Sequence, residues 1–299
     1  MRYLQKLLEK PSYVPKVNLP ALARKHKKFM SCFQARPGNV FVSQDVVSLE
    51  PVITAEFSKD PLYKYAAYAG IGKKPEYRNG LLMIDDIYCM VGSFLPHTKD
   101  AMARHFERGL FNNWENLTDD ERDPVKDSCK KDARNPAKTA ALGLGYGMGA
   151  PKLAKTSAEA GFPITLEVAR AVKDTYWATF AGLANLRDYL SWEIKKKGAV
   201  VNPFGYRLTP EPHKAFNAYI QSSASGVLDV YGRFMLHEKS PIKFVALIHD
   251  ELIFEIPESF LDEFKFRGQE SVKDLNDALG WECPIRLGTK VAKTFAEVK

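Results

Sequence analysis

The sequence is most restrictive in what it lacks. No uninterrupted apolar run approaches the roughly 18 residues of a membrane-spanning helix, which excludes a helical membrane protein. The first residues, MRYLQKLLEKPSY, scatter charges where a secretory signal needs a continuous apolar stretch. Cysteine is scarce: Cys32, Cys89, Cys129 and Cys283 stand far apart with no C-x-x-C pair. That spacing argues against a zinc ribbon and fits reduced thiols of a cytoplasmic protein. Gly143, Gly145, Gly147 and Gly149 alternate, but no G-K-[S/T] follows, which makes a P-loop a weak reading of the run. Internal repeats and low-complexity segments are missing too, as is the strict strand-helix alternation of a Rossmann sheet.

What is present starts with charge. Forty-three basic and 36 acidic residues give a net charge of +7, which favours an anionic partner without naming one. The first 37 residues form a basic segment that includes Arg24-Lys25-His26-Lys27-Lys28. It reads either as a solvated arm or as a contact to a phosphate backbone. With 45% hydrophobic residues, the remaining chain can bury a core.

Pattern then divides the chain. Asn39–Ser43 reads as a buried strand that ends at Asp45, followed by a helix that stops at Lys59-Asp60-Pro61. Residues 61–198 read as mostly helical. Loops fall near Gly70–Gly72 and Asn79-Gly80, and Thr118-Asp119-Asp120-Glu121 is a capping-box pattern. One long apolar period runs from Val168 to Leu190 and stops at Lys195-Lys196-Lys197-Gly198. A short hairpin, a helix from Pro212 to about His237, an apolar hairpin, a helix over 258–279, a strand near 284–287 and a last helix follow. Strands near both ends with helices between predict an α+β fold.

Three constellations carry chemistry. His249-Asp250-Glu251 interrupts two apolar runs, Phe244–Ile248 and Leu252–Phe254. Adjacent carboxylates are disfavoured there, so a hairpin tip that holds a cation is one reading. Asp45 also ends a strand, 205 residues upstream of Asp250. If the two strands are neighbours, the carboxylates can share a pair of Mg²⁺ ions; otherwise each Asp merely caps a turn. The third constellation is Arg134, Lys138, Leu142 and Tyr146, spaced by four along one helical face. Two cations followed by an aromatic can grip a triphosphate and meet a base; a solvated stripe is the alternative.

In order, these motifs resemble the catalytic half of the bacterial polymerase I-like (family A) DNA polymerases. The resemblance rests on Asp45-Val46-Val47-Ser48-Leu49-Glu50, on Arg134 through Gly147, and on His249-Asp250-Glu251. Asp86-Ile87, Gly205-Tyr206-Arg207 and Asn217 with Gln221 support it, and the likeness runs from about residue 39 to the C-terminus. The resemblance implies a right-hand palm, an antiparallel sheet at 38–60 and 199–299, with helical fingers at 61–198. It implies template-directed DNA synthesis from deoxynucleoside triphosphates on a primer-template. Asp45 and Asp250 would ligate two Mg²⁺ ions, with Mn²⁺ as a substitute, and Glu251 would support them. Arg134 and Lys138 would bind the triphosphate, with Lys138 also protonating pyrophosphate. Leu142, Tyr146 and Tyr88 would border the nucleotide, and Glu50 would exclude a ribose 2′-hydroxyl. His249, Arg207, Asn217 and Gln221 would contact DNA.

Departures accompany the likeness. Leu142 stands where the family has Phe or Tyr, and Tyr88 stands where a His is usual. Pro51-Val52 follow Glu50, and Pro136 must fall in a first helical turn or delay the helix. Only 44 residues precede Asp45, too few for the family's thumb and exonuclease-like domains. The sequence therefore predicts either a split, phage-type enzyme whose partner chain supplies them or a piece of a longer chain, and the split enzyme is the reading adopted. A non-catalytic DNA-binding scaffold and a single-subunit RNA polymerase are the rival readings.

Overall fold

The computed structural model describes residues 30–118, 121–236 and 240–298. The Arg24–Lys28 run, Asp119-Asp120 and His237 lie outside the described residues. In chain order the principal elements are β1 (Asn39–Val46), α1 (Leu49–Ser58), β2 (Glu76–Arg78), β3 (Leu81–Met83), α2 (Ile87–Gly92) and α3 (Asn135–Gly145). They continue with α4 (Leu166–Thr179), α5 (Ala181–Lys197), β4 (Val200–Val201), β5 (Arg207–Leu208) and α6 (Ala215–Met235). Last come β6 (Lys243–Ile248), β7 (Glu251–Pro257), α7 (Leu261–Leu279), β8 (Leu287–Ala292) and α8 (Phe295–Val298). The architecture is α+β, and the chain folds as two compact units.

Among the described residues, the first unit comprises 30–45, 236, 240–266 and 288–298. Its sheet has the order β6-β7-β1-β8. β1 pairs antiparallel with β7, from Asn39 opposite Pro257 to Asp45 opposite Glu251. Met30, Phe41, Ile248, Ile253, Phe295 and Val298 form its core, with Phe41 and Phe295 edge-to-face at 6.0 Å. Arg36 grips Glu255 with its backbone N–H at 2.8 Å and its guanidinium at 2.9 Å, and Asn39 Nδ2 donates to the same carboxylate at 3.0 Å. These bonds, Arg36's foremost, hold the Glu255 carboxyl down at about 2. β6 is the edge strand. Its apolar run is not inside: Phe244, Val245 and Leu247 are 47%, 41% and 50% exposed.

Among the described residues, the second unit comprises 46–118, 121–235 and 267–287. The single apolar period predicted across 168–190 folds as two helices, α4 and α5, which part at Phe180. Phe180 is fully buried among the rings of Tyr63, Phe94 and Tyr176. The Asp60 carboxylate, which caps the turn Pro61–Lys64, also accepts the Gly182 N–H at 2.9 Å. A Cβ at Gly182 would sit 2.8 Å from the Asp60 backbone, so this close approach requires glycine. Periodicity reads which residues are buried; it does not read that an upstream carboxylate will restart the helix.

Two further differences concern strands. Residues 76–83, within the stretch whose pattern predicts helix, form the β2–β3 hairpin. Its turn is Asn79-Gly80, both at positive φ, the pairing favoured in tight hairpins. The strand expected near 284–287 begins at Leu287. The capping box is present: Thr118 N–H donates to Glu121 Oε2 at 2.8 Å, ahead of helix Arg122–Ser128. No helix among the described residues is long and apolar enough to cross a membrane.

Candidate active site

In the first unit, β1 delivers Asp45 and the β6–β7 hairpin delivers the acidic triplet. The register makes Asp45 and Glu251 direct antiparallel partners, so both side chains project from one face of the sheet. Like charges placed opposite each other repel, which calls for a compensating group. Ser43, two residues before Asp45 and on the same face, supplies part of it: its hydroxyl donates to Glu251 Oε1. Glu251 is buried, whereas Asp45 is exposed. His249 and Asp250 are the two turn residues. His249 adopts φ 59°, a conformation uncommon outside glycine, and is exposed; Asp250 is half-buried. The triplet therefore divides: Asp250 is at the tip and Glu251 is the first residue of β7.

Carboxylate oxygens suit Mg²⁺, and Asp45 stands opposite Glu251 with Asp250 in the turn just before it, so the donor chemistry fits such an ion. Among the described residues, no three His, Cys, Asp or Glu side chains converge closely enough to hold a metal by themselves.

The second unit carries the predicted basic face. Pro136 falls at the second position of α3, where a missing N–H costs nothing. Ahead of it, Lys130–Arg134 form a wider π-turn, with Arg134 N–H reaching back to the Cys129 carbonyl at 2.9 Å. Arg134 is not pointed at solvent. Its guanidinium donates to Asp86 at 2.9 Å, and that carboxylate caps α2 by accepting the N–H groups of Tyr88 and Cys89. Burial would raise the Asp86 pKa, but Arg134 beside it and the Cys89 N–H more than reverse this and hold it low. The Tyr88 ring lies under both cations, 5.2 Å from the Arg134 guanidinium and 5.2 Å from Lys138 Nζ. Burial drives the Tyr88 hydroxyl pKa far up, so the ring stays neutral.

Tyr146, at the end of α3, donates its hydroxyl to Glu50 Oε2 at 2.9 Å. Glu50 is in the first turn of α1, where acidic residues are favoured and where Pro51 leaves no donor wasted. Just past Tyr146, Gly147 takes φ 75° and Met148 N–H returns to the Gly143 carbonyl at 2.8 Å. The alternating glycines thus serve a helix end.

A pocket in this unit is lined by Glu50, Tyr88, Leu142, Tyr146 and Asn217, five residues singled out from sequence. Tyr63, Tyr176 and Phe216 also line it, and no local signal points to Tyr63 or Phe216 as site residues. Asn217 Oδ1 is buried with no hydrogen-bond partner among the described residues, an acceptor that a ligand can satisfy. Gln221, one turn further along α6, is exposed, as is Arg207 on β5.

Comparison with known proteins bears on this arrangement. Residues 117–297 match the family described as DNA polymerase family A. DNA polymerase I of Aquifex aeolicus is 24% identical over 286 residues, covering 93% of this chain and 43% of that protein. DNA polymerase I of Helicobacter pylori is 26% identical over 246 residues, covering 74% and 26% respectively. The DNA polymerase of Mycobacterium phage L5 is 31% identical over 129 residues, 42% of this chain and 21% of that one. The chain thus spans less than half the length of these relatives. Among solved structures, the POL domain of Pol1 from M. smegmatis, in complex with DNA primer-template and dNTP, superposes with a TM-score of 0.65. It is 19% identical and covers 91% of this chain and 43% of that one, a likeness of fold.

Proposed function

We propose that this chain, which belongs to DNA polymerase family A, carries out template-directed DNA synthesis, transferring a deoxynucleotide from its triphosphate to a primer 3′-hydroxyl. The observation that carries the proposal is the register of the first unit. Asp45 and Glu251, from opposite ends of the chain, stand directly opposite each other, with Asp250 in the adjoining turn. Asp45 and Asp250 would hold Mg²⁺, with Glu251, kept in place by Ser43, as a supporting carboxylate. Bound there, Mg²⁺ would supply activation of the attacking hydroxyl and charge neutralisation on the leaving pyrophosphate.

The second unit supplies positioning, which with charge stabilisation is most of the catalysis of phosphoryl transfer. Lys138 presents an ammonium on the exposed side of α3, where a triphosphate can be gripped. Arg134, forked onto Asp86, fixes the start of α3 and has its remaining donors for phosphate. Glu50, oriented by the Tyr146 hydroxyl, would stand against a ribose 2′-hydroxyl. His249, Arg207, Asn217 and Gln221 would contact primer or template.

The test is Mg²⁺-dependent primer extension by the purified chain, comparing deoxy- with ribonucleotides. Asp45→Ala and Asp250→Ala are each expected to reduce incorporation to background while circular dichroism and melting stay unchanged. Full activity in either variant, or a preference for ribonucleotides, refutes the assignment.

A further inference from the structure

Beside Arg207, but otherwise away from the residues given roles above, the second unit presents an aromatic and basic face on α5 that its own packing does not explain. Leu183, Leu190 and Ile194 turn inward and are buried. On the outer side Tyr189 and Trp192 remain 51% and 48% exposed, with ring centroids 6.1 Å apart and planes inclined at 31°. Lys196 Nζ lies 4.7 Å from the Trp192 ring, a cation over an aromatic face. A groove opens beside Tyr189, lined also by Phe57, Glu193, Val201, Arg207 and Tyr219. Lys197 is paired to Glu193 at 2.7 Å, whereas Lys195 and Arg207 are exposed and form no ion pair among the described residues.

The lysines have a local reason to be there, since cations favour the last turn of a helix. That reason does not extend to two half-exposed rings, which lose apolar burial by facing water. Lys195, Lys196, Lys197 and Arg207 outnumber the carboxylates of this face, Glu193 and Asp188, the latter paired to Arg187 at 2.8 Å, and give it a positive balance. An apolar protein partner would find charged lysines at the rim; a blunt duplex hides its base faces in the stack. A flexible strand with unpaired bases and a phosphate backbone satisfies both features.

We infer that Tyr189, Trp192 and Lys196 form a stacking platform for single-stranded DNA, with Arg207 and the lysine run contacting its phosphates. This goes beyond the polymerase reading and does not depend on the carboxylates of the first unit.

The experiment is a fluorescence-anisotropy titration of the full chain with a fluorescein-labelled oligothymidylate of about 12 nucleotides and, separately, with a blunt duplex. Metal and nucleotide are omitted, so loss of catalysis cannot alter the outcome. Y189A/W192A is expected to raise the single-strand Kd by about 10- to 100-fold and to leave the duplex Kd within about twofold. Trp192→Phe, which keeps a flat ring, is expected to retain most of the affinity, and the oligonucleotide is expected to quench tryptophan emission in the parent chain. An unchanged single-strand Kd in the double variant overturns the inference. So does an equal loss for the duplex, or self-association without DNA that the double variant abolishes.

Discussion

Asp86 joins two helices through one carboxylate. It caps α2 through Tyr88 and Cys89 and holds Arg134 at 2.9 Å, with side-chain exposures of 8% and 16%. Removing one member of a buried ion pair strands the other charge, at a cost of about 3–5 kcal/mol. Asp86→Ala should lower the unfolding free energy by about that amount in urea titration, and D86A/R134L should recover part of it by removing the stranded cation. Full recovery is not expected, because the α2 cap is still missing, a loss of about 1 kcal/mol. At this scale the sequence was partly legible. Arg134, Lys138 and Tyr146 share a face because four-residue spacing dictates it. That Arg134 turns to a carboxylate 48 residues upstream, and that Tyr88 lies beneath both cations, is settled by packing, which spacing does not encode.

Elements show how side chains fix backbone and the reverse. Gly226 lies inside α6, where glycine weakens a helix, yet the ring of Phe204 from the β4–β5 turn occupies the place a Cβ would take. Gly226→Ala should therefore destabilise rather than stabilise, by about 1–3 kcal/mol, measured as a lower melting temperature. The pairing of β1 with β7 carries a pH signature. Glu255 ionises at about 2 when folded, against an ordinary value of 4.5. A depressed carboxyl stabilises the fold fully above the unfolded value, and the benefit fades as pH falls through the folded one. The stability gap between the parent and Glu255→Gln should thus narrow from about pH 4.5 down to about 2. A gap that stays constant across that window would show that Arg36 and Asn39 do not act through the Glu255 charge. Here too the record is mixed. The strand ending at Asp45, the lysine-glycine stop of α5 and the capping box were readable because each is a local signal. The break at Phe180 was not, because the Asp60 carboxylate that bonds Gly182 is distant in sequence.

For the molecule as a whole, strands near both ends with a helical block between predicted the α+β class, and the order of the motifs pointed to the family. Sequence could not say which side of the hairpin would stay wet, since that depends on strand order. β6 is the outermost strand, with three large apolar side chains exposed and its outer row of peptide groups unpaired by the sheet. Such an edge is a template for another copy of itself. Its practical consequence is colloidal. Loss of dispersed protein on storage should accelerate with concentration and should be slowed by Val245→Lys, which sets a charge on the edge, as followed by light scattering. A concentration-independent loss, or one indifferent to that lysine, would locate the stickiness elsewhere. By this prediction, the strand that leads into His249-Asp250-Glu251 would also be the surface that limits how concentrated the chain can be kept.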